Sequence, residues 1–338
     1  MFDPLRRRAG EWSRVTAAVD DAMALLAVRE LGVFDALREG PLGAEVLGAR
    51  LGVSWRRLRA FLNVVVDLGF LQREDDAYGL DPRDEALLDA DADGARLLPV
   101  EGLTVLFGRR ARALEVLRTD AGLDVASSGG DVDVEEREGF LRYLDRHARA
   151  EASEVAELLS DRPVSRVLDL GCGAGTYTFA VLGRNPEATA TLVDRPNARR
   201  LVESGIAAAG MDARATFCGA DLLDGSWVPE EPVDLVIASN VLHNLDEEAC
   251  RELMRRAGQC LTPGGRLLLK EFRMDDDRSG PPGALRFALS MALMSPGGDL
   301  YTCAEYAGWM AGAGIAAGPR VDLLTAPESF VFVGTRTE

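Results

Sequence analysis

The stretch Arg166–Asp194 reads RVLDLGCGAGTYTFAVLGRNPEATATLVD, and it decides the fold of the chain. A short apolar run leads into the glycine-rich turn 171–175, the segment Thr176–Leu182 has helical spacing, and Ala190–Val193 forms a second apolar run. This order predicts a strand, a turn, a helix and a second strand. Glycines at such a turn let backbone N–H groups approach a ligand, and the following helix turns its positive end toward it. The stretch therefore indicates a site for a nucleotide-like ligand.

Two aspartates narrow the choice of ligand. Asp194 ends the second strand about 20 residues beyond the glycines, where such folds place an acid that binds both ribose hydroxyls. The dinucleotide fingerprint is G-x-G-x-x-G, whereas here Gly175 comes one residue early and Asp169 precedes the first glycine. This D-x-G-x-G-x-G form resembles motif I of class I S-adenosylmethionine-dependent methyltransferases. The resemblance implies S-adenosyl-L-methionine as cofactor, bound by Asp169, Gly171, Gly173 and Asp194, with an acid beside the turn pairing with its ammonium group.

Composition bounds the class of protein. At 338 residues the chain is long for one domain, and about two domains are expected. The apolar fraction of 47%, the lack of an apolar run of about 18 residues, and a start without the apolar region of a signal peptide predict a cytoplasmic protein. A net charge of -17 opposes binding to nucleic acid or to an anionic membrane. The cysteines lack a C-x-x-C pair and are expected to be small buried residues: Cys172, Cys218, Cys250, Cys260 and Cys303.

The first part of the chain is predicted to be helical. Val19–Leu31 has apolar residues at helical spacing, and residues 41–71 follow as helix, turn and helix. Polar turn residues between Leu71 and Tyr78–Leu80 then predict a short hairpin. Together these elements give the shape of a winged helix-turn-helix.

Such a module could bind DNA through its second helix, which carries Arg56, Arg57 and Arg59. A reader helix needs a basic surround, and acids occupy this segment instead. They are Asp21, Glu30, Asp35, Glu39, Asp67 and Asp75. A winged-helix module followed by a methyltransferase motif resembles, over nearly the whole chain, the plant-type small-molecule O-methyltransferase family and its bacterial relatives from natural-product pathways. The resemblance implies a homodimer formed through the N-terminal helices, a small-molecule substrate, and neither nucleic acid nor membrane as a partner.

The resemblance also implies three regions along the chain. A winged-helix-like dimerisation domain is expected over residues 1–100, a helical linker with substrate-pocket helices over 101–160, and a methyltransferase domain over 161–338. Residues 120–136 are small, polar and acidic without periodicity, so they are predicted to form a linker or a mobile loop.

Residues 137–159 return to helical spacing, with Phe140, Tyr143, Leu144 and His147 on one face. This face is interpreted as packing under the catalytic domain, and the resemblance gives the alternative that the helix closes the substrate pocket. The candidate substrate residues on this helix are therefore Phe140, Tyr143 and His147. Phe287 and Met291, on a later predicted helix, are two further candidates.

Beyond Asp194, strands and helices alternate, which predicts a parallel, doubly wound sheet. Predicted strands are Ala215–Cys218, Val233–Ser239, Arg266–Phe272, Val321–Leu324 and Phe330–Gly334; predicted helices are Ala198–Ala209, Glu247–Cys260, Pro281–Ser295 and Thr302–Gly312. The resemblance implies an N-terminal winged-helix domain that is all-helical apart from the hairpin. It is followed by an α/β, Rossmann-like domain with a seven-stranded sheet.

Three further positions are predicted to contact the cofactor. Asp221, just beyond the third strand, resembles the family's acid that holds the adenine amino group, although Ala220 separates it from the usual glycine. Leu222 follows Asp221, Ser239 ends the predicted fourth strand, and Asn240 follows it. These residues complete the cofactor-binding candidates.

Methyl transfer from a sulfonium to a hydroxyl requires an aligned acceptor and the removal of its proton. His243 follows the fourth strand at the carboxyl edge, where ligands bind in such sheets, and imidazole suits proton transfer near neutral pH. The segment LHNLDEEAC resembles the family's L-H-x-W-x-D-E-x-C block, with Leu245 in place of the tryptophan. The resemblance implies His243 as general base and Glu271, at the end of the fifth strand, as the acid that fixes its tautomer.

Two departures from the family leave alternatives open. Leu300 replaces a second family acid, and Asn240 replaces a basic residue. O-methylation of a phenolic or enolic hydroxyl is the first hypothesis, and C-methylation or a non-methylating reaction such as decarboxylation, hydroxylation or pericyclic chemistry is the second. A winged-helix regulator that binds a small ligand is the third. No metal is expected, because the consecutive acids 275–277 diverge in direction.

Overall fold

The computed structural model of the chain describes residues 4–81, 111–119 and 134–337. Internal contacts divide the chain into two compact units, Met1–Gly108 and Arg109–Glu338.

The first unit contains the predicted helices and hairpin. Its elements are α1 (Pro4–Glu30), α2 (Val33–Ala36), β1 (Leu42–Gly43), α3 (Ala44–Leu51), α4 (Trp55–Asp67), β2 (Leu71–Glu74) and β3 (Ala77–Leu80). The strands form a small antiparallel sheet in the order β1-β3-β2. Apolar side chains spaced along the helices meet in one core, which includes the fully buried Leu47, Leu62 and Tyr78. The winged-helix prediction is therefore confirmed, with α1 longer than the spacing alone suggested.

The second unit alternates strands and helices. Its elements are α5 (Ala113–Thr119), α6 (Val134–Glu157), β4 (Arg166–Leu170), α7 (Thr176–Arg184), β5 (Thr189–Asp194), α8 (Arg199–Ala208), β6 (Ala215–Gly219), β7 (Val233–Ser239), α9 (Glu247–Cys260), β8 (Leu261–Phe272), α10 (Pro282–Met294), α11 (Cys303–Gly312), β9 (Ile315–Ala316), β10 (Val321–Asp322) and β11 (Ser329–Arg336). The predicted linker falls mostly on residues 120–133, which lie outside the described residues.

Seven strands run in the order β10-β11-β8-β7-β4-β5-β6, and the short β9 pairs with β11. The ladders among β6, β5, β4, β7 and β8 are parallel, as predicted. The last strands depart from this parallel pattern, because β11 is antiparallel to both β8 and β10. The chain between β10 and β11 is too short for the crossover that parallel neighbours need.

One strand begins earlier than predicted. β8 starts at Leu261 and not at Arg266, since Leu261 pairs with Val233 across a shift in the register of the β7–β8 ladder. The Pro-Gly-Gly segment in between reads as a turn in the sequence but lies within the strand as an irregularity.

Alternate residues of the central strands supply two cores on opposite faces of the sheet. Leu267 and Leu269 pack with α9 and α11, while Leu268 packs with α6, α7 and α8. Consecutive residues near the end of β8 therefore face different helix layers, a fact on which the site depends.

Candidate cofactor and catalytic site

The candidate residues meet where the strand order reverses. β4 lies between β5 and β7, and the chain leaves β4 and β7 toward opposite sides. Open sheets of this kind bind ligands at the carboxyl ends of the strands flanking that point. The glycine turn follows β4, and Asn240 and His243 follow β7.

The glycine turn has the backbone that only glycine adopts readily. Gly171, Gly173 and Gly175 have φ angles of 72°, 55° and 84°, in the left-handed region. The N–H groups of Gly171 and Cys172 donate to the carbonyl of Val193, at 2.8 and 3.0 Å. A Cβ added to Gly173 would meet no atom within 4 Å, so open space lies over the middle of the turn. The turn therefore offers room for a ligand close to its backbone.

Asp194 joins this turn to the next strand. Its Oδ2 accepts a hydrogen bond from the Gly173 N–H at 2.8 Å, and its Oδ1 accepts one from the Arg195 N–H at 2.7 Å. The Asp194 carbonyl accepts from the Ala220 N–H at 2.9 Å, which brings the segment after β6 alongside. The carboxylate thus lies at the rim of the open space over Gly173.

The remaining adenine-side candidates lie in the segment after β6. Asp221 is exposed, and its Oδ1 accepts from the Leu223 N–H at 2.8 Å. Leu222 is half-buried against the α9 layer, and its carbonyl accepts from Trp227 Nε1 at 2.9 Å. The turn therefore accommodates the extra Ala220 and keeps an exposed carboxylate.

Asp169, at the end of β4, is buried beneath the turn. Thr178 Oγ1, in the first turn of α7, donates to its Oδ2 at 2.6 Å. Burial raises the pKa of the Asp169 carboxyl to about 7; the Thr178 hydrogen bond opposes this shift, and the nearby Asp194 charge adds to it. The arrival of a cation would favour the ionised form and lower this pKa. No motif in the sequence identifies Thr178 as this partner.

His243 and Glu271 form a buried pair. His243 lies in the single helical turn Leu242–Asn244, and its Nδ1 is 2.7 Å from Glu271 Oε2. Glu271 is fully buried, and its Oε1 accepts from the N–H groups of Val241 and Leu242, at 2.9 and 2.8 Å. Because both carboxylate oxygens act as acceptors, the hydrogen-bond network assigns the ring proton to Nδ1. His243 Nε2 is then left as an acceptor.

Residues 246–250, the DEEAC part of the motif, stabilise the turn that carries His243. Asp246 caps α9, since its Oδ1 accepts from the Ala249 N–H at 2.8 Å. Cys250 Sγ donates to the Leu242 carbonyl at 3.3 Å, so the helix is tied back to the turn that carries His243.

Aromatic rings surround His243. The ring centroid of Phe287, from α10, is 5.1 Å from that of His243, and Phe272, at the end of β8, is 5.9 Å away; both contacts are edge-on. Met291 is buried one turn after Phe287. The structure thus brings Phe287 to the histidine, and it adds Phe272, which the sequence reasoning missed.

The other substrate candidates differ in position. His147 lies on α6 with its side chain exposed. Phe140 and Tyr143 fall within α6, but their side chains lie outside the described residues.

Leu300 occupies an apolar environment. It is fully buried and packs with Met274, Ala284 and Phe287. The neighbouring Asp299 N–H donates to the His243 carbonyl at 3.1 Å, so this loop contacts the histidine through its backbone. Within the described part of the chain, Glu271 is the carboxylate that pairs with His243.

Across residues 4–81, 111–119 and 134–337, no group of three His, Cys, Asp or Glu side chains could hold a metal ion. Asp277 accepts from both the N–H and the hydroxyl of Ser279, in a local turn. None of the helices that the structure describes combines the length and apolar character required to cross a bilayer.

An acid-flanked glycine turn at the switch point of this sheet, with a histidine–carboxylate pair beside it, defines a class I methyltransferase-type protein. Comparison with known families agrees: the model of the O-methyltransferase domain matches residues 122–316, and that of the O-methyltransferase dimerisation domain matches residues 17–88. The chain belongs to this O-methyltransferase family and is an S-adenosylmethionine-dependent methyltransferase.

Individual relatives extend over most of the chain. It is 32% identical to the 3-hydroxy-5-methyl-1-naphthoate 3-O-methyltransferase of Streptomyces sahachiroi, covering 86% of this chain and 84% of the relative. It is 31% identical to the tetracenomycin polyketide synthesis 8-O-methyl transferase TcmO of Streptomyces glaucescens, covering 91% of each. The structure of an O-methyltransferase family protein from Burkholderia thailandensis superposes with a TM-score of 0.85, at 25% identity and 98% coverage of both chains.

Proposed function

We propose that this enzyme transfers a methyl group from S-adenosyl-L-methionine to a phenolic or enolic hydroxyl of a small-molecule natural product, with His243 as general base. The observation that carries the proposal is the buried His243–Glu271 pair, 2.7 Å apart at the carboxyl edge of the sheet.

The cofactor fits the residues around the glycine turn. The open space over Gly173 allows close approach to the backbone, and Asp194 at its rim suits the ribose hydroxyls. Asp169, below Gly171, suits the ammonium group, since a buried carboxyl of raised pKa gains from a cation. Asp221 and Leu222 would hold the adenine end, with Ser239 and Asn240 completing the site. S-adenosyl-L-methionine, when bound, supplies the methyl group in activated form, on a sulfonium.

The work of the protein is then to position the acceptor and take its proton. His243 Nε2 accepts the hydroxyl proton as the oxygen attacks, and Glu271 stabilises the resulting imidazolium through Nδ1–H. The hydrogen bonds from Val241 and Leu242 hold Glu271 in place, so the base is oriented before the acceptor arrives.

Two features support an aromatic acceptor. The rings of Phe272 and Phe287 lie beside His243 and give a planar substrate an apolar surface. The two relatives above are named as methyltransferases of a hydroxynaphthoate and of the tetracenomycin pathway, and a hydroxynaphthoate carries a phenolic hydroxyl.

Replacement of the second family acid by Leu300 favours one alternative: a methyltransferase-like enzyme that performs C-methylation or a non-methylating reaction. Incubating a panel of naphthols, hydroxynaphthoates and enolic polyketides with S-adenosylmethionine labelled with ¹³C in the methyl group separates the two. An O-methyl ¹³C signal with equimolar S-adenosylhomocysteine supports O-methylation. A C-methyl signal, or turnover without S-adenosylhomocysteine, supports the alternative.

We also propose that the protein is a homodimer formed through its N-terminal helices. On α1, Val15, Val19 and Met23 form an apolar stripe at four-residue spacing, with exposures of 68%, 50% and 45%. Val19→Asp should raise the dimer dissociation constant by roughly tenfold or more in sedimentation equilibrium, because it places an unpaired charge in the apolar interface. The matched control, Ala17→Asp, places the same charge on the opposite side of α1 and should leave dimerisation unchanged. A concentration-independent monomer in the wild type would contradict the proposal.

A further inference from the structure

Lys270 is the single lysine of the chain, and it is buried at the edge of the candidate site. It lies on β8 directly before Glu271 and is 1% exposed. Its Nζ lies 2.7 Å from Glu151 Oε2, 3.3 Å from Ser329 Oγ and 3.4 Å from Asn240 Oδ1. The ammonium thus has three side-chain partners, from α6, from β11 and from the segment after β7.

The pair with Glu151 is enclosed further by aromatic side chains. Tyr177, from α7, donates its hydroxyl to Glu151 Oε2 at 2.7 Å, and its ring centroid lies 5.9 Å from Lys270 Nζ. The ring of Phe272, which also contacts His243, lies 5.6 Å from the same nitrogen. A buried ion pair is weak evidence for stability, because an apolar residue of similar size often packs as well. Packing alone therefore does not explain why the charged side chain of Lys270 is buried here.

The conformation of Asn240 and its contacts with Lys270 indicate the role of the lysine. It has a φ of 55°, an uncommon backbone conformation for a residue other than glycine. Lys270 contacts it twice, since the Lys270 carbonyl accepts from the Asn240 N–H at 2.9 Å and Nζ lies near Asn240 Oδ1. The contacts thus hold both the backbone and the side chain of Asn240.

Lys270 and Glu271 together hold the two ends of one turn. They point to opposite faces of the sheet, where Lys270 contacts Asn240 at the start of the turn and Glu271 contacts residues 241–243. Both ends of the turn that carries His243 are therefore contacted by adjacent residues of β8.

We propose that Lys270 is a positioning residue for methyl transfer: through Asn240 it fixes the turn that carries His243 and borders the cofactor. This rests on the proposed function insofar as His243 is the base. Lys270 contacts neither reactant in this proposal; its ammonium acts on Asn240, and Glu151 neutralises its charge.

The test removes the charge pair without leaving Glu151 unpaired. In Lys270→Met/Glu151→Gln, the glutamine can still accept from Tyr177, and both substitutions keep the approximate side-chain size. Calorimetry with S-adenosylhomocysteine should show roughly tenfold weaker binding, as expected when a hydrogen bond to a charged group is lost. The ¹⁵N imidazole spectrum, simple because the chain has two histidines, should show His243 losing its single Nδ1–H tautomer signal.

Two comparisons identify the route through Asn240. Adding the double substitution to Asn240→Ala should weaken S-adenosylhomocysteine binding by less than a further twofold. Ser329→Ala, which removes another partner of the same ammonium, should leave both the affinity and the His243 signal unchanged. If the charge-free variant does not fold, Asn240→Ala and Ser329→Ala carry the test: only Asn240→Ala should alter the His243 signal.

The proposal is overturned if the charge-free variant has wild-type affinity and an unchanged His243 signal, or if its effect persists in full in the Asn240→Ala background. The spectrum reports the position of His243 whether or not it is the base. Failure of this inference is therefore distinguishable from failure of the proposed function, which is measured by the turnover of His243 variants.

Discussion

Replacing Glu271 by Gln perturbs the candidate base while preserving shape. The glutamine carbonyl oxygen can take the place of Oε1 and accept from Val241 and Leu242, at the present 2.9 and 2.8 Å. Its NH₂ group then faces His243 Nδ1, where the carboxylate accepted at 2.7 Å. Two donors cannot share that contact, so the imidazole is driven to the Nε2–H tautomer and loses its acceptor toward the substrate.

The expected loss follows from this tautomer change. We expect kcat at neutral pH to fall by roughly 10²–10⁴, the usual contribution of general base catalysis. S-adenosylhomocysteine affinity and the melting temperature should change little, because the two backbone hydrogen bonds remain. Glu271→Ala is the contrasting variant: it leaves two buried N–H groups without acceptors, at a cost of about 1–3 kcal/mol each, and should destabilise the protein as well.

The assay is single-turnover formation of S-adenosylhomocysteine with the best phenol from the acceptor panel. The deficit of Glu271→Gln should shrink as the pH approaches about 10, where an ordinary phenol ionises without help. Wild-type turnover by Glu271→Gln at pH 7 would refute the role assigned to the pair.

Three further predictions concern the cofactor site. Asp194→Ala removes an acceptor for two hydroxyls, so calorimetry should show S-adenosylhomocysteine binding weakened by about 2–3 kcal/mol, and unchanged affinity would sink the ribose assignment. Because the pKa of Asp169 is raised to about 7, cofactor affinity should fall roughly fivefold from pH 7 to pH 6 as the carboxyl protonates, and this dependence should vanish in Asp169→Asn. Burial opposes the ionised form of Asp169, so Asp169→Asn should also raise the melting temperature of the ligand-free protein at pH 8. This gain should disappear as the pH falls to 3.8, the ordinary pKa of an aspartate, because the carboxyl is then protonated in the folded protein. An equal gain at both pH values would count against the buried anion.

Much of the fold could be predicted from local signals. β7 and α9 lie where their local apolar patterns predict them, since both are set by neighbouring residues. The end of the sheet could not be predicted in the same way. The two-residue β9 carries too few residues for a periodic signal, and the start of β8 depends on a register shift against Val233.

Part of the candidate site could likewise be predicted from the sequence, and part could not. The glycine turn and Asp194 are joined within one βαβ unit, so their proximity follows from sequence spacing. Glu151, Tyr177 and Lys270 come from three separate elements, and no periodicity in the sequence relates them. The one feature of the sequence that singles out Lys270 is that it is the only lysine. Composition does not predict that this lysine lies beside the site.

The most direct test of the central claim is the single-turnover rate of His243→Ala with the best phenolic acceptor at pH 7, measured with S-adenosylhomocysteine affinity as control. If His243 removes the hydroxyl proton, the affinity stays nearly the same while the rate falls by roughly 10²–10⁴. A wild-type rate in this variant would contradict the account, because the acceptor would then be already ionised, or would be carbon and not oxygen.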